Sequence, residues 1–199
     1  MSTNAQSIVT VLKTDPRFEL LLWVIQARGF DSTRAFMQGF LVENDGKDQF
    51  WIALDGRRMH FYRLKDGKDS LPEGNHKIVS VAKNAVIFQP SGIDGQYPNW
   101  RRVWPTFADK EGAKLLGSIV ARAASLKQTK DGTIRLAQLS QEIFEATGGA
   151  LFDLVFLLPL ANEAWDIYGC GGSSEAAEFR SGSEGLKTAV IMPTRYEDN

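Results

Sequence analysis

The chain of 199 residues has one cysteine, Cys170, and two histidines, His60 and His76. A lone thiol cannot close a disulfide within the chain, and so few Cys and His residues cannot supply a structural zinc site of the usual kind. Neither a metal nor any other cofactor is expected, and a reducing, cytoplasmic compartment is the natural reading. Charge of one sign is also lacking. With 23 Lys and Arg against 24 Asp and Glu, the formal net charge is −1, so contact with nucleic acid needs a local basic stripe. No apolar run reaches the roughly 20 residues of a membrane span. The longest, Gly149 to Ala161, is interrupted by Asp153 and Pro159. Met1 to Thr10 has no basic stretch leading into an apolar one, so neither a signal peptide nor a membrane partner is expected.

What is present is apolar side chain in quantity. Hydrophobic residues make up 43% of the chain and aromatics 11%, enough to bury a core in one large domain or two small ones. Asp-Gly dipeptides, which suit tight hairpin turns, stand at Asp45-Gly46, Asp55-Gly56, Asp66-Gly67, Asp94-Gly95 and Asp131-Gly132. Between them lie the β-type runs Phe36 to Val42, Phe50 to Leu54 and Met59 to Leu64. Two more, Lys77 to Ala82 and Ala85 to Phe88, pivot on Lys83-Asn84. The pattern predicts an antiparallel meander.

Two segments have helical character. The first runs from about Asp15 to Arg28, with Thr14 or Asp15 as the cap and Gly29 past its end. The second runs from about Asp109 to Gln128. It has Leu115, Leu116, Ile119, Val120, Ala123 and Leu126 on one side and Lys110, Lys114 and Arg122 on the other. Further strands are expected at Thr133 to Leu139, Trp165 to Tyr168, Ala176 to Arg180 and Leu186 to Met192. Ser140 to Asn162 is ambiguous, with room for a helix broken at Pro159. Helix followed by strands occurs twice, which predicts an α+β fold of two modules, 1–106 and 107–199.

Catalysis has no visible seat. His60 and His76 stand without a nucleophile motif and read as ordinary surface or edge histidines. No phosphate-binding or dinucleotide-binding glycine loop is present. Gly169-Cys170-Gly171-Gly172 reads as a turn, and carboxylate pairs such as Glu43/Asp45 and Asp66/Asp69 read as solvated hairpin tips. The chain is read as a non-enzyme, with no catalytic residue.

Three stretches carry more. Asp94-Gly95-Gln96-Tyr97-Pro98-Asn99-Trp100-Arg101-Arg102-Val103-Trp104-Pro105 resembles the segment that closes the middle domain of bacterial sliding clamps, the β subunit of the replicative polymerase. Ala53-Leu54-Asp55-Gly56-Arg57-Arg58-Met59 resembles that family's "A-T-D-G-H-R-L" hairpin, and Ala189-Val190-Ile191-Met192-Pro193-Thr194-Arg195 its C-terminal "V-V-M-P-M-R". Arg34 to Gly39 is similar to the strand entering the middle domain. The pattern departs at Leu54, where Thr is usual, at Arg57, where His is usual, and at Thr194, where Met is usual.

The resemblance implies two DNA-clamp-like modules, antiparallel sheets with inner helices. It also implies a pocket for short linear motifs of DNA polymerase, clamp loader or repair proteins. To that pocket it assigns Met37, Leu54, Gly56, Arg58, Met59, Pro98, Arg102, Val103, Val190, Met192, Pro193 and Arg195. Met, Leu, Val and Pro suit an adaptable apolar cleft and Arg the peptide's carbonyls or acidic groups, although Val103 and Val190 also read as plain core. Double-stranded DNA, bound without sequence preference, would face Lys110, Lys114 and Arg122. Two modules per chain imply a homo-oligomer, a trimer if a ring closes. The alternative is a reduced monomeric clamp homologue that sequesters clamp-binding proteins or modulates a host clamp.

Overall fold

The computed structural model describes residues 7–67, 69–92, 96–103, 114–120, 141, 143–160, 163–169, 175–181 and 186–194, with backbone alone for 103, 114–120 and 154. The chain divides into two compact units, Met1–Trp100 and Arg101–Asn199.

In the first unit the elements run β1(Val9–Leu12), α1(Phe18–Ile25), β2(Gly39–Asp45), β3(Asp48–Leu54), β4(Arg58–Leu64), β5(Gly74–Ala82) and β6(Ala85–Pro90). The strands pair antiparallel in the order β1-β6-β5-β2-β3-β4. Hairpins turn at Asp45-Gly46, at Asp55-Gly56 and at Lys83-Asn84, as the sequence predicts. Strand β1, which the sequence reading did not pick out, pairs with β6 and buries Val11.

Strand β3 sets the layering, because Trp51, Ile52, Ala53 and Leu54 are all buried. Alternation along a strand sends such a run to both faces, so both must be covered. One face, with Trp51, His60 and Tyr62, meets α1. Trp23 of that helix stacks on His60 at 4.5 Å, and His60 Nδ1 donates to the Trp23 carbonyl at 2.7 Å. The other face, with Phe50, Ile52 and Phe61, is covered by residues 97–100. The Trp100 ring lies 5.1 Å from Phe61 and 6.0 Å from Phe50, and its Nε1 donates to Glu43 at 2.9 Å.

A short helix, α2(Trp100–Val103), carries the chain into the second unit. There β7(Lys114–Val120), β8(Ala164–Gly169), β9(Ala177–Ser181) and β10(Lys187–Ile191) form an antiparallel set in the order β10-β9-β8-β7. Register places Ile167, Phe179, Ala189, Ile191 and Ala177 on one face. Phe152 meets Phe179 edge-on at 6.0 Å, and Trp165 donates to the Leu160 carbonyl at 2.7 Å, so the segment bearing α3(Leu154–Leu157) covers that face.

The α+β class and the antiparallel sheets hold, with several corrections. Residues 114–120 form strand β7, not part of a helix over 109–128. A short apolar run reads equally well in either period, and pairing along β8, with a register shift between Leu115 and Gly117, decides for the strand. Phe36 and Met37 close a 3-10 segment, Ser32–Met37, ahead of β2. Helix α1 starts at Phe18, since Asp15 spends its carboxylate on Arg17. Glu43 is a half-buried acceptor and not a solvated tip. The expected strand Thr133 to Leu139 and Cys170 lie outside the described residues.

The histidines are also corrected, because both are buried. Burial holds His60 neutral, pushing its pKa from 6.5 to about 3 against the opposing Trp23 carbonyl bond. His76, whose Nε2 donates to the Pro72 carbonyl at 2.6 Å, is lowered for the same reason. With the folded value depressed, the unfolded chain takes up the proton first as pH falls. This contribution is therefore complete above about 6.5 and lost on the way down to about 3. Denaturant unfolding followed from neutral pH to about pH 4.5 should show falling stability. His60→Phe should flatten the dependence by up to about 1.4 kcal/mol per pH unit, and an unchanged slope refutes the assignment to His60.

Candidate functional site

The site of the first unit is built around the β3–β4 hairpin. Asp55 organises the tip: its Oδ1 accepts from the Arg57 and Arg58 amides at 2.9 and 3.0 Å, and its Oδ2 from Arg58 Nε at 3.0 Å. Leu54 and Met59 are register partners below the tip, and both are buried. Gly56 takes φ +93°, a conformation that L side chains rarely adopt, and a Cβ there would lie 3.3 Å from Arg34 Nη1.

The Gly29–Met37 segment lies against this tip. Its turn is shaped by Asp31, whose Oδ1 accepts from the Thr33 amide at 2.8 Å and from Thr33 Oγ1 at 2.7 Å. The Thr33 bonds, with a lesser pull from Arg34, hold the Asp31 carboxyl below its usual range. The Gly29 amide donates to the Met37 carbonyl at 2.9 Å, and a Cβ on Gly29 would stand 3.2 Å from the Met37 Cβ and 3.9 Å from the Asp55 Cα. Together Gly29, Phe30, Asp31, Arg34, Met37, Asp55 and Arg57 line a cleft of about 200 Å³.

Tyr97 ties the Tyr97-Pro98 stretch to strand β3 of the same hairpin. Its hydroxyl donates to the Ile52 carbonyl at 3.3 Å, and burial raises its pKa well above the ordinary value. Pro98 follows, half-buried.

The structure thus gathers Met37, Leu54, Gly56, Arg58, Met59 and Pro98 around one hairpin and the segments packed on it. Leu54 and Met59 are buried beneath the tip and do not line the cleft, with no surface for a ligand. Arg34, Phe30 and Arg57, which the sequence reading left out of the pocket, line the cleft. No motif marks Phe30, because its exposure follows from the turn at Gly29-Asp31 alone.

In the second unit Arg102 is exposed on α2, and Val103 lies on the same helix. Val190 is buried in β10, on the strand face that carries Glu178 and Thr188. Met192 is 40% exposed. Pro193 is half-buried, in a tail fixed by the Thr194 amide, which donates to the Leu151 carbonyl at 2.6 Å. Arg195, Lys110 and Arg122 lie outside the described residues. Lys114 opens strand β7, so the helical face expected to carry it is not formed there. Among the described residues no group of His, Cys, Asp and Glu is placed to hold a metal, and no helix is long and apolar enough to cross a membrane.

Two antiparallel units, the first with a helix packed on its sheet, define the class of fold: it is that of the bacterial sliding clamps. The sliding clamp of Pseudomonas aeruginosa superposes over 98% of this chain and 68% of its own, at TM-score 0.57 and 16% identity. That of Bacillus subtilis covers 98% and 66%, at TM-score 0.59 and 14% identity. In sequence, the chain resembles the β sliding clamp of Escherichia coli K12, at 27% identity over 135 residues, 52% of this chain and 36% of the relative. The chain thus spans about a third of the length of the curated relatives it matches. No family model matches.

Replacing Asp55 with Ala leaves the tip amides and Arg58 without their acceptor and should cost about 1–3 kcal/mol of stability. Arg57→Ala, which removes an exposed side chain and keeps the amide that Asp55 accepts from, should stay within about 0.5 kcal/mol. Thermal denaturation of the two variants checks the contrast.

Proposed function

We propose that this chain is a non-catalytic, sliding-clamp-like protein that docks partner proteins by short linear peptides and tethers them to DNA. The observation that carries the reading is the clamp fold combined with the Ala53–Met59 hairpin, whose tip forms one wall of a cleft floored by Met37. An open cleft with an adaptable thioether at its base and guanidinium groups at its edge suits an extended peptide with an apolar anchor. Met37, Gly56, Arg58 and Pro98 serve that role in the first unit, over Leu54 and Met59. Arg102, Val103, Val190, Met192, Pro193 and Arg195 are assigned to it in the second, by the motifs that hold them. The partners proposed are DNA polymerase, clamp loader or repair proteins, and double-stranded DNA held without sequence preference. The modules correspond to the middle and C-terminal clamp domains, and the assembly is a homo-oligomer, a trimer if a ring closes. A role on replicating bacterial DNA implies a cytoplasmic protein.

A second reading has its own support. Lys114 lies in a strand, and the α1 cations are engaged: Arg17 pairs with Asp15, and Arg28 donates to the Ile25 carbonyl. A basic helical lining therefore has little support among the described residues. This favours a monomeric clamp homologue that sequesters clamp-binding proteins or modulates a host clamp.

Light scattering behind size exclusion should give a trimer, with retention on closed circular DNA after loading. A monomer at every concentration that still binds peptide selects the second reading. Arg102→Ala combined with Met192→Ala should weaken an apolar-anchored clamp-binding peptide by about tenfold, or about 1.4 kcal/mol. Unchanged affinity removes these two residues from the docking surface.

A further inference from the structure

We propose that the outer half of β5, residues 78–82, accepts an added strand from a partner protein: an extended segment of alternating aliphatic residues with an Asp or Glu at each end. This surface shares no residue with the cleft lining. Strand β5 runs from Gly74 to Ala82, but β2 follows it only as far as the pair Gly39 and Lys77. Gly39 lets the two backbones meet there, since a Cβ on it would collide with the His76 carbonyl oxygen, and the chain ahead of it leaves the strand as the 3-10 segment Ser32–Met37. Among the described residues, 78–82 therefore pair with β6 alone. One backbone edge is left open to a further strand.

The side chains of this stretch are open as well. Val79, Ser80, Val81 and Ala82 are all exposed, Val79 by 51% and Val81 by 43%. A strand on a one-sided sheet buries every second residue, and here none is buried. The register shifts between Ile78 and Ser80, so Val79 is an extra residue with no partner on β6. Two β-branched side chains on backbone already held extended by β6 lose little freedom when another strand covers them.

Charge selects the occupant. Lys77 and Lys83 flank the open stretch, and Lys13, whose amide donates to the Asn84 carbonyl at 2.8 Å, belongs to the same turn; all three are exposed. Neither 9–14 nor 74–90 contains a carboxylate, although the whole chain has a formal net charge of −1. A second copy of the chain is a poor occupant. Antiparallel pairing of two β5 strands about Ser80 sets Lys77 opposite Lys83 twice over, and parallel pairing in register sets each lysine opposite itself. A strand with acidic ends meets both lysines, while its aliphatic residues cover Val79 and Val81.

The test uses the full chain and a labelled peptide of alternating valine and threonine with an aspartate at each end, alongside its lysine-ended counterpart, with affinity read by fluorescence polarisation. The aspartate-ended peptide should bind about fivefold tighter at low salt, and the advantage should shrink at high salt. Lys77→Glu with Lys83→Glu should reverse the preference, and Val79→Ala with Val81→Ala should weaken both peptides. Circular dichroism should show each variant folded. Two further peptides, N-methylated at alternate residues along one edge or along the other, separate strand addition from loose adhesion: one should bind like the parent and the other not at all. Equal binding of these two overturns the proposal. Binding of no peptide also overturns it, and a short DNA duplex bound instead, and lost in Lys77→Glu with Lys83→Glu, would assign the lysines to phosphate.

Discussion

Strand β3 is buried on both faces, and the organisation of the first unit follows from that constraint. Four consecutive side chains, Trp51, Ile52, Ala53 and Leu54, have almost no contact with water. A strand of this kind cannot lie at the surface of a one-sided sheet. Helix α1 covers one face, with Trp23 against His60, and the segment ending in Trp100 covers the other, against Phe50 and Phe61. Both coverings carry polar groups that find partners inside: the indole of Trp100 on Glu43, the hydroxyl of Tyr97 on the Ile52 carbonyl, and one ring nitrogen of His60 on the Trp23 carbonyl. Each such bond offsets the cost of burying its group and fixes where the covering segment lies.

The candidate site is a by-product of that layering. Because residues 97–100 are pinned to one face of β3 and β4, the Tyr97-Pro98 stretch is held beside the hairpin. The chain leaving α1 returns through Gly29 and the 3-10 segment Ser32–Met37 to enter β2. Its path brings Met37 and Arg34 to the Asp55-Gly56-Arg57 tip, where one carboxylate, Asp55, closes the turn. The cleft is thus made of two loops, each anchored by its own aspartate and each contributing an arginine that has no ion pair or side-chain hydrogen bond among the described residues.

The second unit uses the same chemistry. Its apolar strand face is covered by residues 150–160, and Glu178, fully buried on the opposite face, is bonded to Arg180, whose guanidinium lies 4.3 Å over Tyr168. Both residues lie on β9, so the pair closes within one strand, and the Arg180 contact with Tyr168 ties it to β8.

Much of this was legible in the residues alone. Tight turns and alternating β-type runs determined the hairpins β2–β3, β3–β4 and β5–β6, because these are local properties, but the expected meander is broken where β5 crosses over to pair with β2 and not with β4. The three motifs likewise carry the resemblance to the clamp fold. The tertiary structure decided what local pattern could not. Lys114 to Val120 became a strand, since a short apolar run suits either period and its neighbour β8 settles the matter. His60 and His76 went inside, since burial depends on what packs above a residue. Arg34, Phe30 and Arg57 became the lining of a cleft, since two loops distant in sequence meet only once the sheet between them has folded.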